Sequence, residues 1–118
     1  MFMKKTKLEG IRKDVFLDRY SLKDKNGKSV EEYPEEMWHR VSKGVAENEK
    51  TPKKQKLWEQ KFYGILEDFK FVPGGRILTG EGSPHDVTFY NCFVLPSPKD
   101  SRKGILETLG IMTEIMAK

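Results

Sequence analysis

Apolar residues recur along this chain at two different periods, and the elements change where the period changes. Met37, Val41 and Val45, with Trp38 alongside, follow the i, i+4, i+8 spacing of an amphipathic helix. Pro34 opens that helix, because the first turn has no use for the N–H that proline lacks. Glu35 and Glu36 stand where the positive helix end favours acids, and the pattern predicts an end near Asn48. A second helix starts at Thr51-Pro52, a hydroxyl cap followed by proline. Its predicted buried stripe is Trp58, Phe62, Ile65, Leu66 and Phe69, with most of its charges off that line. It stops before Pro73, which disfavours helix at Val72 and precedes two glycines. A third helix takes Asp100 or Ser101 as cap and is predicted to run to Lys118. Ile105, Leu109, Met112 and Met116 form its stripe, widened by Leu106 and Ile115.

Between the second and third helices the period drops to two. Asp86 to Leu95, "DVTFYNCFVL", is rich in aromatic and β-branched residues and bounded by Pro84 and Pro96, which predicts a strand over residues 87–95. Val87, Phe89, Asn91, Phe93 and Leu95 share one face; Thr88, Tyr90, Cys92 and Val94 share the other. Both faces are largely apolar, so the strand calls for cover on both sides. Nothing else in the chain reads as a comparable strand, so its sheet partners are expected from elsewhere and the chain alone is expected to fold only partly. Asn26-Gly27 is a turn signal for a small hairpin or extended arm. Residues 73–84, "PGGRILTGEGSP", read as a glycine-rich loop, and residues 1–13 as a flexible basic lead-in.

Composition narrows the classes. With 118 residues, 36% hydrophobic and 34% charged, the chain is one domain or a piece of a larger one, with a modest core. The net charge of +4 gathers in Lys4, Lys5, Lys7, Arg12 and Lys13 and again in Lys53, Lys54 and Lys56. Solvated faces account for such runs more simply than a nucleic-acid site does. A small basic helical module binding nucleic acid or protein stands as the alternative reading. One cysteine excludes an internal disulfide and a cysteine-based zinc site, and it fits a reducing, cytoplasmic setting. No run approaches the roughly 18 apolar residues that span a membrane, and the N-terminus carries no secretory pattern.

Candidate chemistry is sparse. The glycine-rich segment lacks the Gly-Lys-Ser/Thr of a Walker loop and the G-x-G-x-x-G that follows a strand. His39 and His85 have no partners at metal-ligand spacing, so no metal site is expected. Cys92 by itself reads as a small apolar group. Beside it, however, stands Asn91, which needs hydrogen-bond partners if buried. The residues alone leave open whether the thiol packs or reacts.

Three stretches, "FLDRYSLKDKNG", "FKFVPGGRILTGEGS" and "TFYNCFVLPSPKDSRKGILETLGIMTEIM", occur in one order and closely resemble the N-terminal part of the large catalytic chain of ribonucleotide reductases, the adenosylcobalamin-dependent class II type above all. That resemblance implies a mainly α-helical N-terminal region leading into the first strand of a ten-stranded α/β barrel, here incomplete. Residues 1–13 are then the lead-in, 14–72 the helical region and 73–118 the start of the barrel, with strand 87–95 and helix 100–118. In the family a thiyl radical abstracts the 3′ hydrogen of a ribonucleotide, and two cysteines supply the electrons that remove the 2′ hydroxyl. Cys92 maps onto one of those two, its disulfide being reopened by a thioredoxin-like donor. Gly75 and Asn91 map onto substrate contacts beside Cys92. Many relatives carry "PNSPTL" where this chain has Pro73 to Leu78, so Gly75 replaces a serine and its contact would be through backbone.

The partner cysteine, the radical cysteine and the residues assisting it lie downstream in the family and not among these 118 residues. Most of the cobalamin surface and the nucleotide effector site are likewise expected on a remaining reductase chain. The resemblance thus implies a split-gene product or truncated copy, inactive alone, docking through a strand edge and the Ile105/Leu109/Met112 stripe.

Overall fold

The computed structural model describes residues 5–117. Its centre is a helical hairpin. Helix α2, Pro34–Ala46, is the predicted first helix, and the Glu36 carboxylate reaches back to accept the Tyr33 N–H at 3.0 Å and the Glu32 N–H at 2.6 Å. Helix α3, Pro52–Leu66, begins as its hydroxyl cap requires, the Thr51 Oγ1 accepting the Lys54 N–H at 3.4 Å. Gln55 ties the connecting turn by donating to the Glu49 carbonyl at 2.9 Å. Ahead of the hairpin come α1, Ile11–Val15, and a π-helical turn, Phe16–Tyr20; after it come a 3₁₀ turn, Glu67–Phe69, helix α4, Gly75–Gly80, and helix α5, Arg102–Met116.

The core gathers Phe16, Met37, Trp38, Val41, Leu66 and Leu78, one contribution at least from every element before α5 except α1 and the 3₁₀ turn. Trp38 lies at its middle, edge-on to Tyr63 at 6.5 Å and to Phe69 at 5.0 Å between ring centres. Phe69 reaches it because Asp68 and Phe69 both adopt left-handed backbone, at φ 56° and 57°, and reverse the chain at the end of α3.

The Asn26-Gly27 signal is realised as a tight arm. Gly27 takes φ 78°, Lys23 and Ser29 form an isolated antiparallel bridge, and the Asp24 carboxylate accepts the N–H groups of Asn26 and Lys28 at 2.8 Å each.

Four expectations are corrected. The strand at 87–95 does not form: among the described residues there is no strand, and 87–99 run without regular hydrogen bonding. An apolar alternation specifies an extended chain, but a ladder needs a second strand, and none is at hand. The segment 73–84 is not a loop throughout, since α4 occupies Gly75–Gly80. Ile77 and Leu78 pack against the core there, which outweighs the helix cost of the glycines. The lead-in at 1–13 is helical from Ile11, while its first four residues lie outside the described residues, as does the Lys118 end of the third helix. The stripe of α3 is only partly covered: Leu66 is buried, Trp58 and Phe62 stack at 5.5 Å half-buried, and Ile65 and Phe69 are exposed.

Helix α5 forms where its cap dictates, the Ser101 Oγ accepting the Gly104 N–H at 3.0 Å. Its stripe nevertheless stays uncovered, Ile105, Leu109, Met112 and Met116 all being exposed. The radius of gyration is 18.3 Å, against about 13–14 Å for a compact domain of this length. The packed unit is the part through α4. No helix among the described residues is long and apolar enough to cross a membrane.

Candidate functional site

Residues 87–91 owe their place to glycines. A Cβ on Gly80 would lie 2.5 Å from Val87 Cγ2 and 3.3 Å from the Phe89 ring, so the segment lies directly against α4. It thereby carries Asn91 to the other end of that helix. There the Asn91 Oδ1 accepts the Arg76 N–H at 3.3 Å, and its Nδ2 lies 2.6 Å from where a Cβ of Gly74 would stand. Gly75 adjoins the Tyr20 ring, 3.7 Å from its own notional Cβ. The two candidate substrate contacts, Gly75 and Asn91, are therefore brought together, 16 positions apart in sequence but on facing segments.

Cys92 follows immediately and is exposed, with a free thiol. It is not the small core residue that composition favoured. The arrangement brings an amide side chain, the backbone of two glycines and an exposed cysteine to one corner of the molecule. An apolar groove of about 600 Å³ adjoins the corner, with Leu8, Val15, Tyr20, Phe69, Pro73 and Gly75 in its walls. Among the described residues no group of three His, Cys, Asp or Glu side chains is placed to hold a metal. His39 sits apart, its Nε2 3.4 Å from Glu59.

Sequence reasoning missed three participants. Gly74, rather than Gly75, is the glycine whose missing side chain admits Asn91; the Gly-Gly pair was the available signal. Tyr20 closes the far side of Gly75, and nothing in its spacing announced it. The third is a buried ion pair, Arg40 with Glu31, whose guanidinium and carboxylate meet at 2.6 and 3.0 Å. Elsewhere, between α2 and α3, the Tyr63 hydroxyl is held above its ordinary pKa, first by burial and then by the negative charges of Glu67, Glu35 and Asp68.

A sequence model described as the all-alpha domain of ribonucleotide reductase matches residues 8–86. Two relatives, vitamin B12-dependent ribonucleoside-diphosphate reductases from Mycobacterium tuberculosis strains CDC 1551 / Oshkosh and ATCC 25618 / H37Rv, are each 32% identical over 103 residues. Those alignments cover 86% of this chain and 14% of the relatives, so the chain spans about a seventh of their length. A stretch that long in 118 residues necessarily takes in Asn91 and Cys92, which the all-alpha match, ending at residue 86, does not reach. No solved structure matches the chain significantly. The resemblance to the N-terminal segment of class II reductases thus has independent support from both comparisons. The helical architecture and these matches together show that the chain belongs to the ribonucleotide reductase family and carries its N-terminal all-alpha domain.

Proposed function

We propose that the chain is the N-terminal part of an enzyme that converts ribonucleotides to deoxyribonucleotides by thiyl-radical chemistry, with Cys92 as one of its two reducing cysteines. The observation that carries this is the corner itself: an exposed thiol next to Asn91, whose side chain rests on the Gly74–Arg76 backbone. Gly75 and Asn91 hold the sugar and phosphate of the ribonucleotide, the first through backbone and the second through its amide. In the reduction two thiols each give up one electron and one proton. The 2′ hydroxyl departs as water, hydrogen takes its place on carbon, and the sulfurs join as a disulfide. A dithiol protein of the thioredoxin kind reopens that bond by exchange. Cys92 provides half of the pair. The second sulfur and the radical-bearing thiol come from the remaining reductase chain.

Adenosylcobalamin, which supplies the radical in class II enzymes, would be bound mostly by that remaining chain. The exposed stripe of α5 and the unpaired backbone of 87–95 are the surfaces on which the remaining chain docks. A nucleotide effector acts on the assembled enzyme, in the cytoplasm, where thiols are kept reduced.

Co-expression with the remaining reductase chain tests this. Ribonucleotide reduction should require both chains, and Cys92→Ser should abolish turnover with a dithiol protein donor. Reduction by this chain alone, or turnover indifferent to Cys92→Ser, would overturn the proposal. Salt-dependent binding of DNA or RNA that survives Cys92→Ser would instead identify a basic binding module.

A further inference from the structure

Helix α4 is six residues long, too short to hold itself in place, yet both candidate substrate contacts depend on where its first turn lies. Its far end is gripped by one side chain. Arg40, in the middle of α2, donates from Nη2 to the Leu78 carbonyl at 3.0 Å and from Nη1 to the Glu81 carbonyl at 2.5 Å. These are carbonyls at the C-terminal end of α4, where a helix leaves acceptors without intrahelical partners. The same Nη2 approaches the Tyr20 carbonyl at 3.5 Å. Glu31 fixes the guanidinium through both carboxylate oxygens, and its Oε2 also accepts the Leu22 N–H at 2.9 Å. The two side chains are 9% and 8% exposed, so these charge-assisted bonds act with little competition from water.

Two glycines make the grip possible. Gly82 adopts φ +67°, and a Cβ there would stand 2.8 Å from Arg40 Cγ; one on Gly44 would stand 2.4 Å from Glu81 Oε1. The chain leaving α4 thus lies flat on α2, over Arg40.

The structure assigns to Arg40 the role of positioning residue for the corner: by binding the end of α4 and the Tyr20 backbone at once, it sets Gly75 against Tyr20 and presents the Gly74–Arg76 backbone to Asn91. This rests on the reading of Gly75 and Asn91 as substrate contacts, and the placement of α4 is measurable without it. Only a planar fork reaches Glu31 and both carbonyls together; a lysine keeps the charge but not the geometry.

Amide hydrogen exchange on the 118-residue chain carrying Arg40→Lys tests the assignment. Exchange at Thr79, Gly80 and Glu81 should rise about ten- to a hundredfold, the Arg76 and Asn91 amide resonances should shift, and amides of Trp38, Val41 and Leu66 should stay within about threefold. Glu31→Gln, which keeps the shape and weakens the grip, should move the same α4 amides in the same direction by less, and serves if Arg40→Lys does not fold. Unchanged α4 exchange, or a rise spread evenly over α2 and α3, would overturn the assignment. In the complemented reductase, Arg40→Lys should raise KM for the ribonucleotide more than it lowers kcat. Loosened α4 with unaltered KM would overturn the substrate reading of the corner and not the grip.

Discussion

Replacing Gly74 by alanine separates the geometry of the corner from the stability of the fold. Gly74 has φ −55° and ψ 145°, backbone that alanine adopts without strain. Restricting the unfolded chain there stabilises by about 0.4–1 kcal/mol. Against this, the new Cβ would lie 2.6 Å from Asn91 Nδ2, where ordinary contact begins at 3.4 Å, so the amide must retreat by about 0.8 Å. The bond from the Arg76 N–H to Oδ1 is already 3.3 Å long and does not survive that retreat. Such a bond contributes about 0.5–1.5 kcal/mol, nearer the lower end for an exposed residue such as Asn91. The two terms cancel to within about 1 kcal/mol, and Tm should move by only a few degrees, given about 4–8 °C per kcal/mol for domains somewhat smaller than this. Urea unfolding followed by tryptophan fluorescence should therefore look wild type, while the Asn91 side-chain amide and the Arg76 N–H shift in a nitrogen–proton correlation spectrum. In the complemented reductase, KM for the ribonucleotide should rise about tenfold, equivalent to about 1.4 kcal/mol of binding, with a smaller change in kcat. An unmoved Asn91 resonance, or a stability loss above about 3 kcal/mol with shifts throughout the core, would refute this reasoning.

Three further outcomes follow from other parts of the molecule. Cys92 is exposed, so its thiol should react with a disulfide reagent within about threefold of the rate of an unstructured peptide; tenfold protection would contradict the exposure. Tyr63 is raised above 10.0, so the folded chain keeps that proton to higher pH than the unfolded one. Its contribution is intact below about pH 10 and declines as pH rises through the folded value. The urea midpoint should fall as pH rises above about 10, and less steeply in Tyr63→Phe; equal slopes would refute the assignment. Ser101→Ala removes the cap of a helix with scarcely any tertiary support. The loss, about 1 kcal/mol, should appear as reduced helicity confined to α5, read from circular dichroism and amide shifts, and undiminished α5 helicity would count against it.

What could be read from the sequence were the decisions made locally. Pro34, Thr51-Pro52 and Ser101 fix where helices begin because each acts on the turn it stands in, and Gly27 fixes the arm in the same way. Burial was less legible. The stripes of α3 and α5 have helical periodicity, but periodicity does not say whether anything lies opposite. The segment 87–95 shows the same limit, since its alternation is real and its ladder would require another strand. In α4 the glycines argued for a loop, and the placement of Ile77 and Leu78 against the core prevailed. The candidate residues Asn91 and Cys92 were reached through resemblance. Their relation to Gly74 depended on contacts across 17 positions that no local pattern encodes. Arg40 inside α2 and Glu31 ahead of it are ordinary charges in sequence, and only folding brings the carbonyls of Tyr20, Leu78 and Glu81 around the guanidinium.

The pair of left-handed residues at the end of α3 places Phe69 under opposed demands. Left-handed backbone disfavours a bulky side chain by roughly 1–2 kcal/mol, and glycine at either position would relieve it. At position 69, however, glycine would also remove the ring that stands 5.0 Å from Trp38. Asp68 carries no such obligation: its side chain is exposed, and asparagine or glycine there would ease the reversal without touching the core. Substitution of Asp68 by asparagine or glycine should therefore be tolerated, while any non-aromatic residue at position 69 gives up the contact with Trp38. The same asymmetry makes position 68 the first choice for a stabilising substitution in this domain.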